Sequence, residues 1–467
     1  MPDGIVPQRC VVVLPSTGEF DSRTYRIART LHERGHEVTV LARWKPGLAR
    51  HEIHEAGYPI MRVETPAIDG LPLRRVTLPL LRALRLSARP NPEADGSASA
   101  STTTSASPPP GGASSGADDD SAPGWAHPGA RKPGTGLPSR LRDYVRRARI
   151  FLMIRSHKRQ ALAAAPVADV YHGMAYMGVS VALALGKRHG ARVVYDSRDI
   201  YMVAANLARL RGPIKAVLAR LERGWARAVD RVFTVNQPYA TELARRFGVD
   251  MPVIVMNCSY RFAPPEPTPR LFHEHLGLDP ETRVVLYQGG FSVGRGVEQL
   301  MEAVRRVPGC VLVVMGYGAL EAEFRVAAAR PENHGKVHIL PAVPPTELLE
   351  WVTSADAIGV LFQHDTLNNY LSTPNKFLEA MAAGVPSVCS DHPGMGPIAR
   401  ETGCGIAVKP DDIGAIAAAI RTIVEAPPDE RQQMRARALA AAHDTYNWES
   451  QVQALLEEYT RLTGRPW

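Results

Sequence analysis

Short apolar runs alternate along this chain with helix-like patterns, in two sets divided by a proline-rich hexapeptide. The first set of strand-like runs is Cys10–Leu14 (CVVVL), Glu37–Ala42, Pro59–Val63, Asp169–His172, Arg192–Tyr195, Arg231–Val235 and Val253–Met256. The second is Val284–Gln288, Val311–Met315, Val337–Leu340, Ala357–Leu361, Ser387–Cys389 and Gly405–Val408. Continuous Val/Ile/Leu runs suit strands covered on both faces, and helices between them supply the crossovers of a parallel sheet. The helical patterns include Tyr25–Arg34, closed by Gly35, then Pro213–Ala228, and a last helix Asp444–Leu462 carrying Trp448. Pro264–Pro269 (PPEPTP) reads as a stiff linker. The expected fold class is α/β, with two Rossmann-like doubly wound domains facing across a cleft. The first spans residues 1–263 with about seven strands, the second spans 270–443, and residues 444–467 form a C-terminal helix. A ligand belongs in the cleft, beyond the carboxyl ends of the strands.

A chain of 467 residues that is 45% hydrophobic can build two or three proper cores. Its net charge of +8 and pI near 9.3 fit anionic partners in general. With 6% aromatic residues and no nucleic-acid motif, the expectation is that nucleic acid is not among them. The five cysteines are far apart with no metal-ligand spacing, so free buried thiols and no metal site are expected. The N-terminus lacks the basic and apolar regions of a leader, and no stretch approaches the roughly 18 apolar residues of a membrane span. The cytoplasm is the expected location. Residues 89–138, rich in Ser, Thr, Ala, Pro and Gly, read as a disordered insertion. Ser139–Gln160 then reads as a basic amphipathic helix with eight Lys or Arg residues. Its apolar stripe has two possible destinations, an anionic membrane surface or its own domain.

Ser372–Gly384 (STPNKFLEAMAAG) concentrates the candidate chemistry. Ser372 or Thr373 can cap a helix, Pro374 suits its first turn and Gly384 ends it. Such a terminus offers amides to a phosphate, and a carboxylate at Glu379 can accept hydrogen bonds from a ribose diol. A capped helix of any αβ unit has the same outline. The turn Gly289–Gly296 (GGFSVGRG) lets the backbone approach a phosphate beside Arg295, and it too has the alternative of a plain tight turn. No Lys followed by Ser or Thr makes it a Walker loop, and no G-x-G-x-x-G follows the first strand.

The segments YQGGFSVGRGVEQLMEAV, MGYG, ILPAVPPTELLEWVTSADAIGV and TPNKFLEAMAAGVPSVCSD resemble, in that order and spacing, the donor-nucleotide domain of the family 4 glycosyltransferases of the GT-B fold. DSRTYRIARTLHERGHEVTVLAR, YDSRDIY and YNWESQ extend the likeness. The resemblance implies a retaining, metal-independent transfer of a sugar from a nucleotide diphosphate donor (a UDP-, GDP- or ADP-sugar), with no cofactor. The acceptor would be lipid-linked, a glycan or a small molecule. Glu379 matches the second glutamate of the E-x7-E motif, and Arg295 the basic residue that neutralises the diphosphate. Gly289, Gly290, Gly316, Thr373, Asn375 and Lys376 are the further donor candidates, with Lys376 also catalytic, as in a PNK-type branch. The first motif glutamate is replaced by Leu371, and the arginine usual in the glycine loop by Gly290. His172 is the catalytic histidine candidate, with a structural histidine as the alternative. Arg198 and Asp199 are acceptor-side candidates or a loop ion pair. The rival functions are a nucleotide-sugar epimerase or hydrolase of this fold and a non-catalytic membrane-bound scaffold.

Overall fold

The computed structural model describes residues 6–19, 21–66, 139–204, 207 and 212–467, with backbone alone for 139–148. The expected insertion at 89–138 lies outside the described residues.

The first sheet comprises β1 (Arg9–Val13), β2 (Glu37–Arg43), β3 (His51–Ile53), β4 (Pro59–Val63), β5 (Val170–Met174), β6 (Arg192–Asp196), β7 (Arg231–Thr234) and β8 (Val253–Ile254). Its order is β3-β4-β2-β1-β5-β6-β7-β8, parallel throughout except where β3 runs antiparallel to β4. Eight strands thus stand where the runs give seven. The helices of this half are α1 (Ser22–Glu33), α2 (Ser139–Ala164), α3 (Ala175–His189), α4 (Pro213–Ala228) and α5 (Gln237–Phe247). The first begins three residues before the expected Tyr25 because Asp21 caps it, its Oδ1 accepting from the Thr24 amide at 3.0 Å. Ile27, Ala28 and Leu31 on one face of α1 enter the core with Val12, Val40 and Val170. Helix α3 crosses β1 closely at Gly178, where a Cβ would lie 2.4 Å from the Val13 carbonyl oxygen.

The second sheet, β11-β10-β9-β12-β13-β14, is parallel throughout. Its strands are β9 (Arg283–Gly290), β10 (Cys310–Tyr317), β11 (Val337–Pro341), β12 (Ala357–Val360), β13 (Ser387–Ser390) and β14 (Gly405–Val408). Helices α6 (Leu271–Leu276), α7 (Val297–Arg305), α8 (Glu321–Ala328), α9 (Leu348–Thr353), α10 (Leu367–Leu371), α11 (Asn375–Ala382), α12 (Gly396–Thr402), α13 (Ile413–Val424) and α14 (Pro428–Asp444) accompany it. One apolar cluster, with Phe377 and Met381, covers one face, and another, with Leu300 and Ile420, covers the other. Two mostly parallel sheets with helices between their strands are the two Rossmann-like domains that the alternation implies and the GT-B arrangement that the resemblance implies.

The last helix departs from its expected bounds. Asp444 closes α14, and α15 (Trp448–Thr463) starts afresh at Asn447, whose side chain accepts from the Ser450 amide at 2.8 Å. Trp448, Val452, Leu455, Leu456 and Tyr459 are buried in the core of the first half. The chain therefore crosses from the first half to the second and back again.

All five cysteines are free and buried. Among the described residues no helix is long and apolar enough to cross a membrane. Of the expected apolar stripe on α2, the side chains of Leu141, Tyr144, Val145 and Ala148 lie outside the described residues, while the neighbouring Ile150, Met153 and Ile154 are buried against Met177, Met202 and Leu218 of their own domain. These three side chains are therefore not available to lipid.

Candidate functional site

Helix α11 starts differently from expectation. Pro374 is the residue before its first turn, and no side chain caps it. The Ser372 hydroxyl donates instead to the Asn369 carbonyl at 2.9 Å, and Thr373 donates to the Gly394 carbonyl at 2.6 Å while accepting from Asn236 at 3.0 Å. Thr373 thus serves as a tie between loops. The uncapped terminus keeps the amide polarity that suits an anion. Asn375, Lys376 and Glu379 lie in sequence along this helix, all buried.

Glu379 accepts a short hydrogen bond from the Gln288 side chain at the end of β9. Burial pushes its carboxyl above the usual range, against the opposing Gln288 bond and the Arg26 and Lys376 charges. Arg26 belongs to α1 of the other half. Burial likewise pulls the Arg26 guanidinium down, with the Glu379 charge opposing, and its Nη1 donates to Asn257 Oδ1 at 2.7 Å.

Two cations gather at one ring. The Arg295 guanidinium sits 4.3 Å from the Phe362 ring centre, and Lys376 Nζ sits 3.9 Å from the Tyr287 ring and 5.7 Å from that of Phe362. Arg295 Nε donates to Ser292 Oγ at 3.1 Å, so the turn that carries it also orients it. This arrangement can receive a diphosphate at the cations and a sugar diol at Glu379.

Gly289 and Gly290 belong to β9 itself, and the turn proper begins at Phe291. Gly316, in β10, has φ +154°, and a Cβ there would lie 2.0 Å from the Gly289 carbonyl oxygen. These glycines bring two strands together beside the site. Gly290 accepts from the Tyr287 hydroxyl at 2.6 Å.

The loops after β6 and β7 form the opposite wall. Arg198 Nη1 pairs with Asp21 Oδ2 at 2.7 Å, and Asp199 Oδ1 accepts from Asn368 of α10 at 2.8 Å. Arg198 and Asp199 thus have separate partners. Burial raises the Asp199 carboxyl against the Asn368 hydrogen bond and the Arg198 and Arg295 charges. Asn368 also accepts from the Ile200 amide at 2.8 Å, and Asn236 donates to the Leu371 carbonyl at 2.8 Å. Leu371, where the motif has its first glutamate, packs its side chain into the first half.

His172 does not belong to this site. It lies within β5, fully buried, with Nε2 3.1 Å from Asp196 Oδ2 and Nδ1 2.6 Å from the Tyr459 hydroxyl. Both ring nitrogens are occupied inside the core, which corrects the catalytic expectation in favour of a structural role. Arg23 completes the cluster, its Nε 2.7 Å from Asp196.

The family described as "Glycosyl transferases group 1" matches residues 270–440, and the "Glycosyl transferase 4-like domain" matches residues 100–258. The chain belongs to the family 4-like glycosyltransferases. Among relatives of this family, a D-inositol 3-phosphate glycosyltransferase from Xylanimonas cellulosilytica is 24% identical over 254 residues, 51% of this chain and 58% of that protein. A GDP-mannose:cellobiosyl-diphosphopolyprenol alpha-mannosyltransferase from Xanthomonas campestris is 29% identical over 191 residues, 39% of this chain and 48% of that protein. The chain spans about half the length of the curated relatives it matches. In fold, it resembles a sucrose-phosphate synthase from Thermosynechococcus elongatus, with a TM-score of 0.67 at 15% identity, covering 98% of this chain and 99% of the other. It also resembles Anabaena Alr3699/HepE in complex with UDP-glucose, with a TM-score of 0.62 at 13% identity, covering 97% and 100%.

Sequence reasoning missed Arg26, Gln288, Phe362 and Asn368. Gln288 stands in the YQGG segment and was open to discovery there. Arg26, on a regular helical pattern, carries no local sign that a carboxylate faces it from 353 positions away in the chain, the separation of Arg26 and Glu379.

Proposed function

We propose that this chain transfers a glycosyl group from a nucleotide diphosphate sugar to an acceptor hydroxyl, with retention of configuration and without a metal ion or cofactor. The observation that carries the reading is the grouping of Arg295 and Lys376 around Phe362, beside the open terminus of α11 and with Glu379 on the same helix. In this reading the diphosphate lies against the two cations and the ribose diol donates to Glu379. As the bond between sugar and phosphate breaks, negative charge grows on the departing diphosphate where the cations are already in place. The acceptor approaches from the wall of Arg198 and Asp199, and no carboxylate is assigned as a nucleophile. The Anabaena neighbour holds UDP-glucose, which makes that donor the first to try.

The test is incubation with UDP-, GDP- and ADP-sugars and hydroxyl acceptors, with and without a chelator, reading the anomeric configuration of the product by NMR. Transfer with retention, unaffected by the chelator, supports the proposal. Epimerised donor or free sugar alone points to an epimerase or hydrolase, and absence of turnover to a scaffold. For Glu379→Gln the expected result is nucleoside diphosphate binding weaker by about tenfold to a hundredfold with the fold intact, the worth of a hydrogen bond to a charged group. Unchanged affinity by calorimetry would remove Glu379 from the ribose site.

We further propose that the enzyme works at an anionic membrane surface on a lipid-linked or envelope acceptor. Support comes from Arg149, Arg155 and Arg159, exposed on α2, and from the net positive charge. Attraction is then electrostatic, about 1 kcal/mol for each nearby cation. Sedimentation with liposomes should rise with anionic lipid, fall as salt shortens the Debye length below about 10 Å, and be lost when the three arginines become glutamates. Indifference of the wild-type protein to anionic liposomes at low salt would leave a soluble acceptor.

A further inference from the structure

Helix α10 of the second half docks on the first half through polar groups. Asn368, buried on this five-residue helix, spends both ends of its amide there: Nδ2 donates to Asp199 Oδ1 at 2.8 Å, and Oδ1 accepts from the Ile200 amide at 2.8 Å. Its backbone carbonyl accepts from the Tyr239 hydroxyl at 2.9 Å. A second asparagine reaches in the opposite direction. Asn236, buried ahead of α5, caps that helix with Oδ1, which accepts from the Tyr239 amide at 2.7 Å. Its Nδ2 donates to the Leu371 carbonyl at 2.8 Å and to Thr373 Oγ1 at 3.0 Å. Five hydrogen bonds therefore cross between the halves within residues 368–373.

A helix this short does not hold itself in water, because its first turn fixes several residues for one backbone bond. The place of α10 is set by what it docks on, and Leu371 adds an apolar contact with the first-half cluster that includes Tyr239, Leu243 and Phe247. Pro374 and α11 follow at once, so the same docking places the start of the helix that carries Lys376 and Glu379. At the other end of this clasp stands Asp199 itself, next to Arg198. Arg295, Lys376 and Glu379 belong to the second half and Arg198 and Asp199 to the first, and the two asparagines join them. Hydrogen bonds of this kind exchange against water at small net cost, so the clasp can part for a substrate to enter and form again around it.

We propose that Asn236 and Asn368 are positioning residues of the transfer reaction, which hold the acceptor-side wall in register with the donor helix and touch neither substrate. This rests on the donor and acceptor sides assigned above. Two variants of the full chain break the clasp in different ways. Asn236→Asp keeps the oxygen that caps α5 but replaces the donor to Leu371 and Thr373 by an acceptor. Asn368→Leu keeps the size of the side chain and removes both bonds to Asp199 and Ile200. Each should lower kcat by about tenfold or more, since a misplacement of about 1 Å can cost about 10²-fold in rate. The tightest binder among UDP, GDP and ADP should keep its affinity within about threefold, at unchanged stoichiometry by calorimetry, because its contacts lie in the second half.

A distance measurement needs no turnover. All five native cysteines are buried, so spin labels at Thr241→Cys on α5 and Ala322→Cys on α8, both exposed, report the spacing of the halves by pulsed electron resonance. Either clasp variant should broaden and lengthen the distance distribution relative to the labelled parent. Should Asn368→Leu fail to fold, Asn236→Asp decides alone. A kcat retained within about threefold by either folded variant, a nucleotide affinity that falls as far as kcat, or an unchanged distance distribution would each overturn the proposal. Should the parent itself transfer no sugar, the assignment of donor and acceptor sides is what fails, and the label distances still decide whether the two asparagines hold the halves together.

Discussion

Replacing Arg295 by Ala is expected to lower turnover at saturating donor by two orders of magnitude or more. Loss of one preorganised donor facing a developing oxyanion costs about 10²–10³ in rate, and this guanidinium is held in place by Ser292 and the Phe362 ring. The ground-state diphosphate is already charged, so affinity for the donor should also weaken, but less than kcat falls. Arg295→Lys keeps the charge without the planar fork and should recover part of the loss. The measurement is kcat and KM for the best donor, with melting temperatures as a control on folding. A kcat within threefold of wild type would move the diphosphate away from Arg295.

Asp196→Ala is expected to destabilise the protein by about 3–5 kcal/mol, the usual penalty for leaving a buried charge without its partner. Arg23 is 1% exposed and Asp196 fully buried, and the same carboxylate also meets His172. Burial alone would raise the Asp196 carboxyl, yet Arg23 and His172 hold it well below the usual carboxylate range. A carboxyl depressed on folding lends stability that is present above its unfolded pKa and is lost as pH falls toward the folded value. The gap between wild type and Asp196→Ala should therefore be widest near neutrality and shrink with acidification below about pH 4. Urea unfolding at several pH values reads this directly. A gap that does not change with pH would mean that the carboxylate stabilises by shape and not by charge.

The strands buried on both faces were legible because continuous Val/Ile/Leu runs leave few alternatives, and Pro59–Val63 and Gly405–Val408 were found to the residue. Strand β3 escaped because His51, Glu52 and Ile53 are all exposed at a sheet edge and show no alternation. The break between α14 and α15 was written in Asn447, a capping residue, but without a Gly or Pro to draw attention to it. His172 and Arg295 looked alike as sequence signals, each at the end of a strand-like run or in the turn after it. Only the third dimension separates them, by enclosing one among Asp196 and Tyr459 and leaving the other beside a ring at the cleft. Local pattern describes a residue's own element, whereas Arg26 facing Glu379 is a product of how two sheets meet.

The double passage of the chain between its halves has a mechanical consequence. The outgoing and returning segments touch each other: the Trp448 amide donates to the Ser259 carbonyl at 2.8 Å, and the Met256 amide donates to the Gln451 side chain at 3.1 Å. A single tether would allow one body to swivel freely about the other. Two tethers pinned side by side act as a door hinge, leaving opening and closing about one line as the easy motion and resisting twist. Cutting the chain within 264–269 should accordingly not release the first half as a separable piece, because Trp448, Leu455 and Tyr459 would still plug its interior.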